Sequence, residues 1–513
     1  MLRIVTVTRC LDTCSAWKRT GLKLWRKPHF IQSLSTTTAT SQNEKENHFD
    51  VLIAGGGVVG CALARLLHES IPTLRIGLLE ARDVLPPSSS SSSSSSSPTQ
   101  TEAIPHPRSY ALSPNSLNVL GSQTISEVPL GYYTSMQVWQ ANSPASLTFT
   151  SRDLNADPEQ APYLGACVED GPLVWSLWNQ IQSSPAIRCW TNTTLKDMAS
   201  VGSHSEWVQV TTNQDETITT ALLVGADGSQ SWIRKMCGIS RIGTEYEHHA
   251  LTFTVELQSS MNQRAFQRFL PDGGPMALLP TYSPKHAVVV WSTSPSTVQR
   301  WKNASHEALV EHLNATLWEG PQRVPPLLER DQDNHANSMS MSVLNNLLYG
   351  AERVLDTLHY GLAMASHHPE PKFVAPPRIT QIVSPKVSFP LSCFQANSYV
   401  KGRVVLAGDA AHTVHPMAGQ GLNLGLADVQ VLVTCLEKAN RAGMDLMTFV
   451  QEYESNRYRN VSLSLAGMHA LQRIFANQTV PMQHAKTLGM NVVQNFGTLR
   501  RQLALAAAHG VSI

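Results

Sequence analysis

Three observations predict an α/β fold: an open-sheet domain, interleaved with a second sheet-based domain and followed by C-terminal helices. A short apolar strand at Asp50–Ala54 runs directly into the glycine turn at 55–60 and then into helical apolar spacing at Leu63, Leu66 and Leu67. Two later apolar runs, Ala221–Ala226 and Arg403–Ala407, each end in a Gly/Asp turn with a helix pattern behind it. Between these two runs, Leu251, Phe253 and Val255 alternate with polar residues at the period of a strand.

The length of 513 residues calls for two domains with appendages. Hydrophobic residues make up 42% and charged residues 15%, an ordinary globular balance. Formal net charge is +1, from 39 basic and 38 acidic side chains, so nothing asks for a nucleic-acid partner. Eight cysteines are scattered without paired metal-ligand spacing, which reads as free thiols in a reducing compartment and no metal. No run of apolar residues is long enough to cross a bilayer, although peripheral membrane contact stays open.

Before the first strand the chain is basic and rich in hydroxyl residues. Arg3, Arg9, Lys18, Arg19, Lys23, Arg26 and Lys27 face one acid, Asp12, and Ser/Thr residues crowd positions 33–41. The lysines and arginines interrupt any continuous apolar core, so residues 1–47 are expected to form a mitochondrial transit peptide, cut between Phe30 and Asn47.

The glycines of Gly55-Gly56-Gly57-Val58-Val59-Gly60 have separate physical tasks. Gly55 permits the tight turn, Gly57 leaves room for a pyrophosphate against the backbone, and Gly60 lets the helix pack on the strand. The second strand, Arg75–Leu79, ends in Glu80, a carboxylate placed to accept from a ribose 2′-OH and to repel a 2′-phosphate. The pattern therefore points to FAD or NAD, not NADP.

Ten consecutive serines, Ser88–Ser97, mark 86–107 as a flexible surface insertion. Asp227-Gly228-Ser229 follows the run Ala221–Ala226 and precedes a helical stretch at Trp232–Met236. Gly408-Asp409-Ala410-Ala411-His412 follows Arg403–Ala407. Then come Pro416-Met417-Ala418-Gly419-Gln420-Gly421 and a helix with Leu422, Leu426, Val429, Val433 and Leu436 on one face. His412 and His415 read first as structural hydrogen-bonding groups, with acid–base catalysis the less favoured role. Residues 324–377 read as a helical excursion with loops, and the chain from Met444 onward carries helical spacing.

Taken in order, these segments resemble the group A flavin monooxygenases, the FAD-dependent aromatic hydroxylases. The resemblance implies a Rossmann-like FAD-binding domain and selects FAD as cofactor. It implies that Gly408 and Asp409 meet the ribityl chain, that Asp227 and Gly228 lie near the pyrophosphate, and that Arg108, in Pro107–Pro114, contacts the flavin side of the site. Pro416, Gly419, Gln420, Gly421, Leu422 and Asn423 form the flavin loop, where a helix N-terminus can stabilise negative charge on the reduced ring. A narrower resemblance, to the ubiquinone-biosynthesis hydroxylases, is carried by Arg268–Pro271, Gly274–Pro280, Val290–Ser294, Ser388–Leu391 and His415–Asn423, with Met417 where Leu is usual.

The narrower resemblance implies a polyprenylated 4-hydroxybenzoate-type substrate, hydroxylated with O2 at ring C5 through a flavin C4a-hydroperoxide. It also implies electrons from ferredoxin and ferredoxin reductase, membership of a ubiquinone-biosynthesis complex, and a peripheral place on the matrix side of the mitochondrial inner membrane. The expected domains are 48–240 (FAD-binding, first part, with parts of 130–180 in the substrate domain), 241–395 (substrate), 396–440 (FAD-binding, second part) and 441–513 (helical). Two alternatives stay open: a soluble NAD(P)H-dependent phenol hydroxylase, and a flavin-binding scaffold without turnover.

Overall fold

The computed structural model describes residues 47–84, 86, 103–154, 162–199, 206–272, 274–320, 322, 350, 353–354, 357–358, 373–414 and 419–509. The expected transit peptide, the serine run, most of the 324–377 excursion, His415 and Pro416 lie outside these residues.

Among the described residues, the first sheet has eight strands. Its path runs β18 (Val400–Lys401), β19 (Val404–Leu406), β11 (Thr217–Gly225), β1 (His48–Ala54), β2 (Ile76–Leu79) and β8 (Ile187–Trp190). Next to β11 lies β10 (Val208–Thr212), followed by β9 (Leu195–Met198). The central strands β19, β11, β1, β2 and β8 are mutually parallel. Parallel strands are buried on both faces, which is why Val51–Ile53, Leu222–Val224 and Val404–Leu406 are apolar without alternation and fully buried. Helices α1 (Val58–Ser70), α3 (Asp170–Gln182) and α7 (Gln420–Arg441) bring Leu63, Leu67, Leu177, Leu426 and Val429 into that core, together with α2 (Pro114–Glu127) and α4 (Trp232–Met236).

The second sheet has nine described strands. Its path is β20 (His412–Thr413), β17 (Val387–Ala396), β12 (Arg241–Leu257), β15 (His286–Thr293), β14 (Pro275–Pro280), β13 (Arg264–Phe269), β5 (Ser135–Gln140) and β6 (Ser146–Thr150). β16 (Ile379–Ile382) flanks β12. Leu251, Phe253 and Val255, the alternating residues of the sequence, point away from the first domain. They pack with Trp291 under α5 (Pro295–Asn303) and α6 (His306–Trp318). Ser294 and Ser305 cap these helices by accepting the N–H of Thr297 and Ala308, and Pro295 occupies the first turn of α5, where no N–H is needed.

A small sheet of β3 (Ser109–Leu112), β7 (Gly165–Glu169) and β4 (Leu130–Tyr133) lies between the two large ones in the chain. Three helices end the described chain: α8 (Val450–Ala476), α9 (Val480–Asn495) and α10 (Gly497–His509). Met490 of α9 packs with Ala145 and Leu147, and Ala504 of α10 packs with Leu154. None of the described helices is long and apolar enough to cross a membrane.

Candidate cofactor and active site

Strand register brings the site together. Ala54 pairs with both Leu79 and Gly225, and Gly225 pairs with Leu406, so four parallel strands end on one line. Gly55, Glu80, Asp227 and Asp409 each follow one of those ends within three residues. The crevice beyond the carboxyl ends of parallel strands, where connections leave in opposite directions, is the ligand site of open α/β sheets. A cavity of about 2210 Å³ opens there. Gly55, Gly57, Glu80, Arg108, Asp227, Gly228, Asp409 and the run Gly419–Asn423 line it. Gly60 and Gly408 lie behind this lining.

The first turn explains its own composition. Gly55 sits at φ +112°, and a Cβ there would stand 2.2 Å from the carbonyl oxygen of Ala226. At Gly60 a Cβ would stand 1.9 Å from the carbonyl oxygen of Gly55. Gly57 differs: a Cβ there would meet no protein atom within 4 Å. Packing therefore does not require glycine at 57, and the space its missing side chain leaves belongs to the cavity. Gly57 also caps α1, whose first turn holds no acid, so free N–H groups and the helix dipole present an anion-binding end. This cradle fits a pyrophosphate. Glu80 is already engaged with the turn, since its carboxylate accepts the N–H of Gly56 at 2.7 Å and of Arg82 at 3.0 Å.

Asp227 likewise has a structural task that the sequence did not reveal. Its Oδ2 accepts the N–H of Trp232 at 2.7 Å and of Ile233 at 3.2 Å, capping α4. Its Oδ1 is buried with no protein partner, an orphaned acceptor beside the cavity.

Asp409 opens into the cavity yet is surrounded by protein. Burial raises its carboxyl above the ordinary range; Asp428 adds to the rise, and His412 and Arg108 oppose it. Behind it, Asp428 is fully buried. The Asp428 carboxylate accepts from Gly408 N at 2.9 Å, pairs with His412 Nε2 at 2.6 Å and accepts from Arg457 Nε at 2.6 Å. Burial alone would raise Asp428, but His412 and Arg457 more than offset it and hold the carboxyl below its usual range. His412 is thus an internal strut, as the sequence suggested first. Asp428 and Arg457 were missed. A signal existed, an acid on the apolar side of α7 beside Leu426 and Val429, but its partner lies 29 residues further on.

On the facing wall, Arg108 Nε pairs with Asp170 Oδ2 at 3.1 Å, and the hydroxyl of Tyr110 donates to Asp170 Oδ1 at 2.8 Å. No sequence spacing links Asp170 to this strand. Asn423 spends its whole amide on protein. It accepts from Ser113 N (2.9 Å) and Ser116 Oγ (2.6 Å), and it donates to the carbonyls of Ala111 and Gly419, each at 2.9 Å. Its side chain is a clamp between the Arg108 strand and the start of α7. Gln420 Nε2 reaches the carbonyl of Ala507 in α10 at 3.0 Å, so the last helix is tied to this loop.

The opposite side of the cavity is the second sheet. Ala265 and Gln267 of β13, Ala277 of β14, Val290 and Ser292 of β15 and Thr252 of β12 face it. The surface is mostly apolar with a few polar groups. From there the cavity continues as an apolar arm between Val138, Leu147 and Phe149 on one side and the C-terminal helices on the other. Phe475 of α8 stacks on Phe269 at 3.8 Å between ring centres in this arm. The site can therefore hold an extended polar ligand against the strand ends and an apolar one over the sheet.

Comparison with known proteins agrees with this geometry. Residues 185–340 and 369–462 match the FAD binding domain family. The chain is 31% identical over 495 residues to the ubiquinone biosynthesis monooxygenase COQ6, mitochondrial, of Danio rerio, covering 92% of this chain and 91% of that one. With the protein of that name from Homo sapiens it is 29% identical over 482 residues, covering 90% and 92%. The fold is that of p-nitrophenol 4-monooxygenase PnpA from Pseudomonas putida DLL-E4, with TM-score 0.61 at 16% identity over 91% of this chain and 100% of that one. It is also that of PqsL from P. aeruginosa, with TM-score 0.60 at 18% identity over 86% and 99%. With FAD as its cofactor and the group A fold around it, the chain belongs to the ubiquinone-biosynthesis monooxygenases.

Proposed function

We propose that this enzyme hydroxylates ring C5 of a polyprenylated 4-hydroxybenzoate-type precursor, using O2 and electrons relayed by ferredoxin and ferredoxin reductase. In this reading residues 1–47 direct the chain into mitochondria. There it works within a ubiquinone-biosynthesis complex, peripherally on the matrix side of the inner membrane. The observation that carries the reading is the shape of the cavity: one end is a dinucleotide cradle, and the other is an apolar arm far larger than a single phenol ring needs. The mitochondrial ubiquinone-biosynthesis names of the relatives support it.

FAD, when bound, supplies the chemistry that activates O2 and delivers one oxygen atom to an electron-rich ring. The chain supplies the setting. Gly55, Gly57 and Gly60 shape the pyrophosphate cradle, with Glu80, Asp227 and Gly228 beside it, and Gly408 and Asp409 hold the ribityl chain. The first turn of α7, Gly419 to Asn423, directs N–H groups toward negative charge on the reduced ring, and Pro416 leads into that turn. Arg108 closes the flavin side. Thr252, Gln267 and Ser292 orient the phenol on an otherwise apolar wall, which keeps water from the reacting atoms.

Complementation of cells lacking the ring C5-hydroxylase, with profiling of quinone intermediates, tests the proposal. Restored ubiquinone with loss of the C5-unhydroxylated intermediate is expected. Import and bound FAD without restoration would leave a flavin hydroxylase for another phenol. For the site itself, Asp409→Ala should release FAD from a folded chain, and unchanged flavin content would overturn the assignment of Asp409.

A further inference from the structure

From Ser455 to Ile513 the chain contains no Asp or Glu, although the whole sequence holds 38 of them. The same stretch carries six Lys and Arg residues: Arg457, Arg459, Arg473, Lys486, Arg500 and Arg501. Half of these cations have internal tasks. Arg457 pairs with Asp428, Arg500 with Asp153, and Lys486 donates to the carbonyl of Asn477 at 3.0 Å. Arg459, Arg473 and Arg501 are exposed and make no ion pair among the described residues.

The same helices expose apolar side chains in an ordered way. On α8, Leu463, Leu471 and Ile474 recur at helical spacing on one stripe, and Leu471 is 50% exposed. At the start of α10 and just before it, Phe496 (58%), Leu499 (42%) and Leu503 (44%) are exposed. Leu471 and Ile474 from α8 and Leu503 from α10 also line the cavity, so the two stripes meet at the mouth of its apolar arm. An exposed apolar rim around an apolar opening, set in a field with no negative charge, is not an ordinary solvated surface.

We infer that the α8–α10 face is a docking surface for an anionic phospholipid bilayer. Leu471, Ile474, Phe496, Leu499 and Leu503 enter the interfacial layer, and Arg473 and Arg501 pair with lipid phosphates. The absence of any carboxylate over 59 residues (455 to 513) is the charge complementarity this contact needs. The opening then faces the hydrocarbon, so an apolar tail passes into the arm without crossing water. The inference deepens the proposed reading and rests on it only for the tail of the substrate, since the bilayer contact stands on the surface itself.

Flotation of the full-length holoenzyme with vesicles separates the two. Binding is expected to vesicles of phosphatidylcholine mixed with phosphatidylglycerol, and weakly or not at all to phosphatidylcholine alone, with loss at high salt. Arg473→Gln with Arg501→Gln should weaken binding on the order of thirtyfold, from about 1 kcal/mol per cation near an anionic surface. Leu471→Gln with Leu503→Gln should abolish salt-resistant binding. Lys196→Gln, on the distant β9 strand, should change nothing. The flavin spectrum of each variant reports an intact fold. Equal binding to neutral and anionic vesicles, or equal loss in the Lys196 variant, would overturn the inference. So would self-association through this face without vesicle binding. Since no substrate is present, failure here leaves the proposed reaction standing, and failed complementation leaves the surface standing.

Discussion

The Asp428 carboxylate accepts the backbone N–H of Gly408 at 2.9 Å across 20 residues of chain. The bond fixes, from the protein interior, the turn that presents Asp409 to the cavity. Because the same carboxylate neutralises Arg457, Asp428→Ala leaves a buried guanidinium unpaired. The variant should lose about 3–5 kcal/mol of unfolding free energy. Urea denaturation measures this, and a loss below about 1 kcal/mol would mean that the network does not hold the turn.

The same residue sets an acid limb. Asp428 is held below its ordinary value of 3.8, so its contribution is present above that value and is lost as pH falls through the lower folded one. Asp409 has the opposite sign: its raised carboxyl favours the folded state at acid pH, and that contribution fades as pH rises through the folded value. In an Asp409→Asn background, apoprotein stability should fall steeply on acidification below pH 4. Adding Asp428→Asn should flatten that fall.

Gly57 and Gly60 should separate cofactor binding from folding. Gly57→Ala meets no protein atom, so its thermal unfolding should stay near wild type while FAD affinity drops at least tenfold. Gly60→Ala drives a Cβ to 1.9 Å from the Gly55 carbonyl and should yield little folded protein. Equal FAD affinity in wild type and Gly57→Ala would remove the pyrophosphate from this turn.

Asn423→Ala removes four hydrogen bonds that clamp Ser113, Ser116, Ala111 and Gly419. Stability should fall by about 1–3 kcal/mol, because buried donors and acceptors are left unmet. Flavin should dissociate faster, since the Arg108 strand and the α7 start lose their common anchor. Asn423→Asp keeps the acceptors and loses both donors, so it should fall between the two.

The parallel core was legible because buried parallel strands are continuous apolar runs and their terminal turns carry glycine and aspartate. Gly55, Glu80, Asp227 and Asp409 were found for that reason, each next to a strand end. Their second duties were not legible. Glu80 fastening Gly56 and Asp227 capping α4 depend on short distances that the spacing alone does not fix. Asp170 and Arg457 reach the site only through tertiary contacts. The alternation of Leu251, Phe253 and Val255 identified a strand correctly, but periodicity cannot say which face meets the cofactor, and these residues form the far one. The C-terminal helices were visible as helices. Their part in lining the cavity follows from Phe475 lying on Phe269, a contact across 206 residues (475 less 269) that no local pattern encodes.

The position of β19 beside β11 has a consequence for synthesis. Three of the four strand ends around the site are made by residue 225, but the fourth, Leu406, comes 181 residues later (406 less 225). A chain emerging from the ribosome therefore carries an open half-crevice through the whole second sheet domain. Cofactor capture is a late event, and it completes the joining of two domains that were made in pieces.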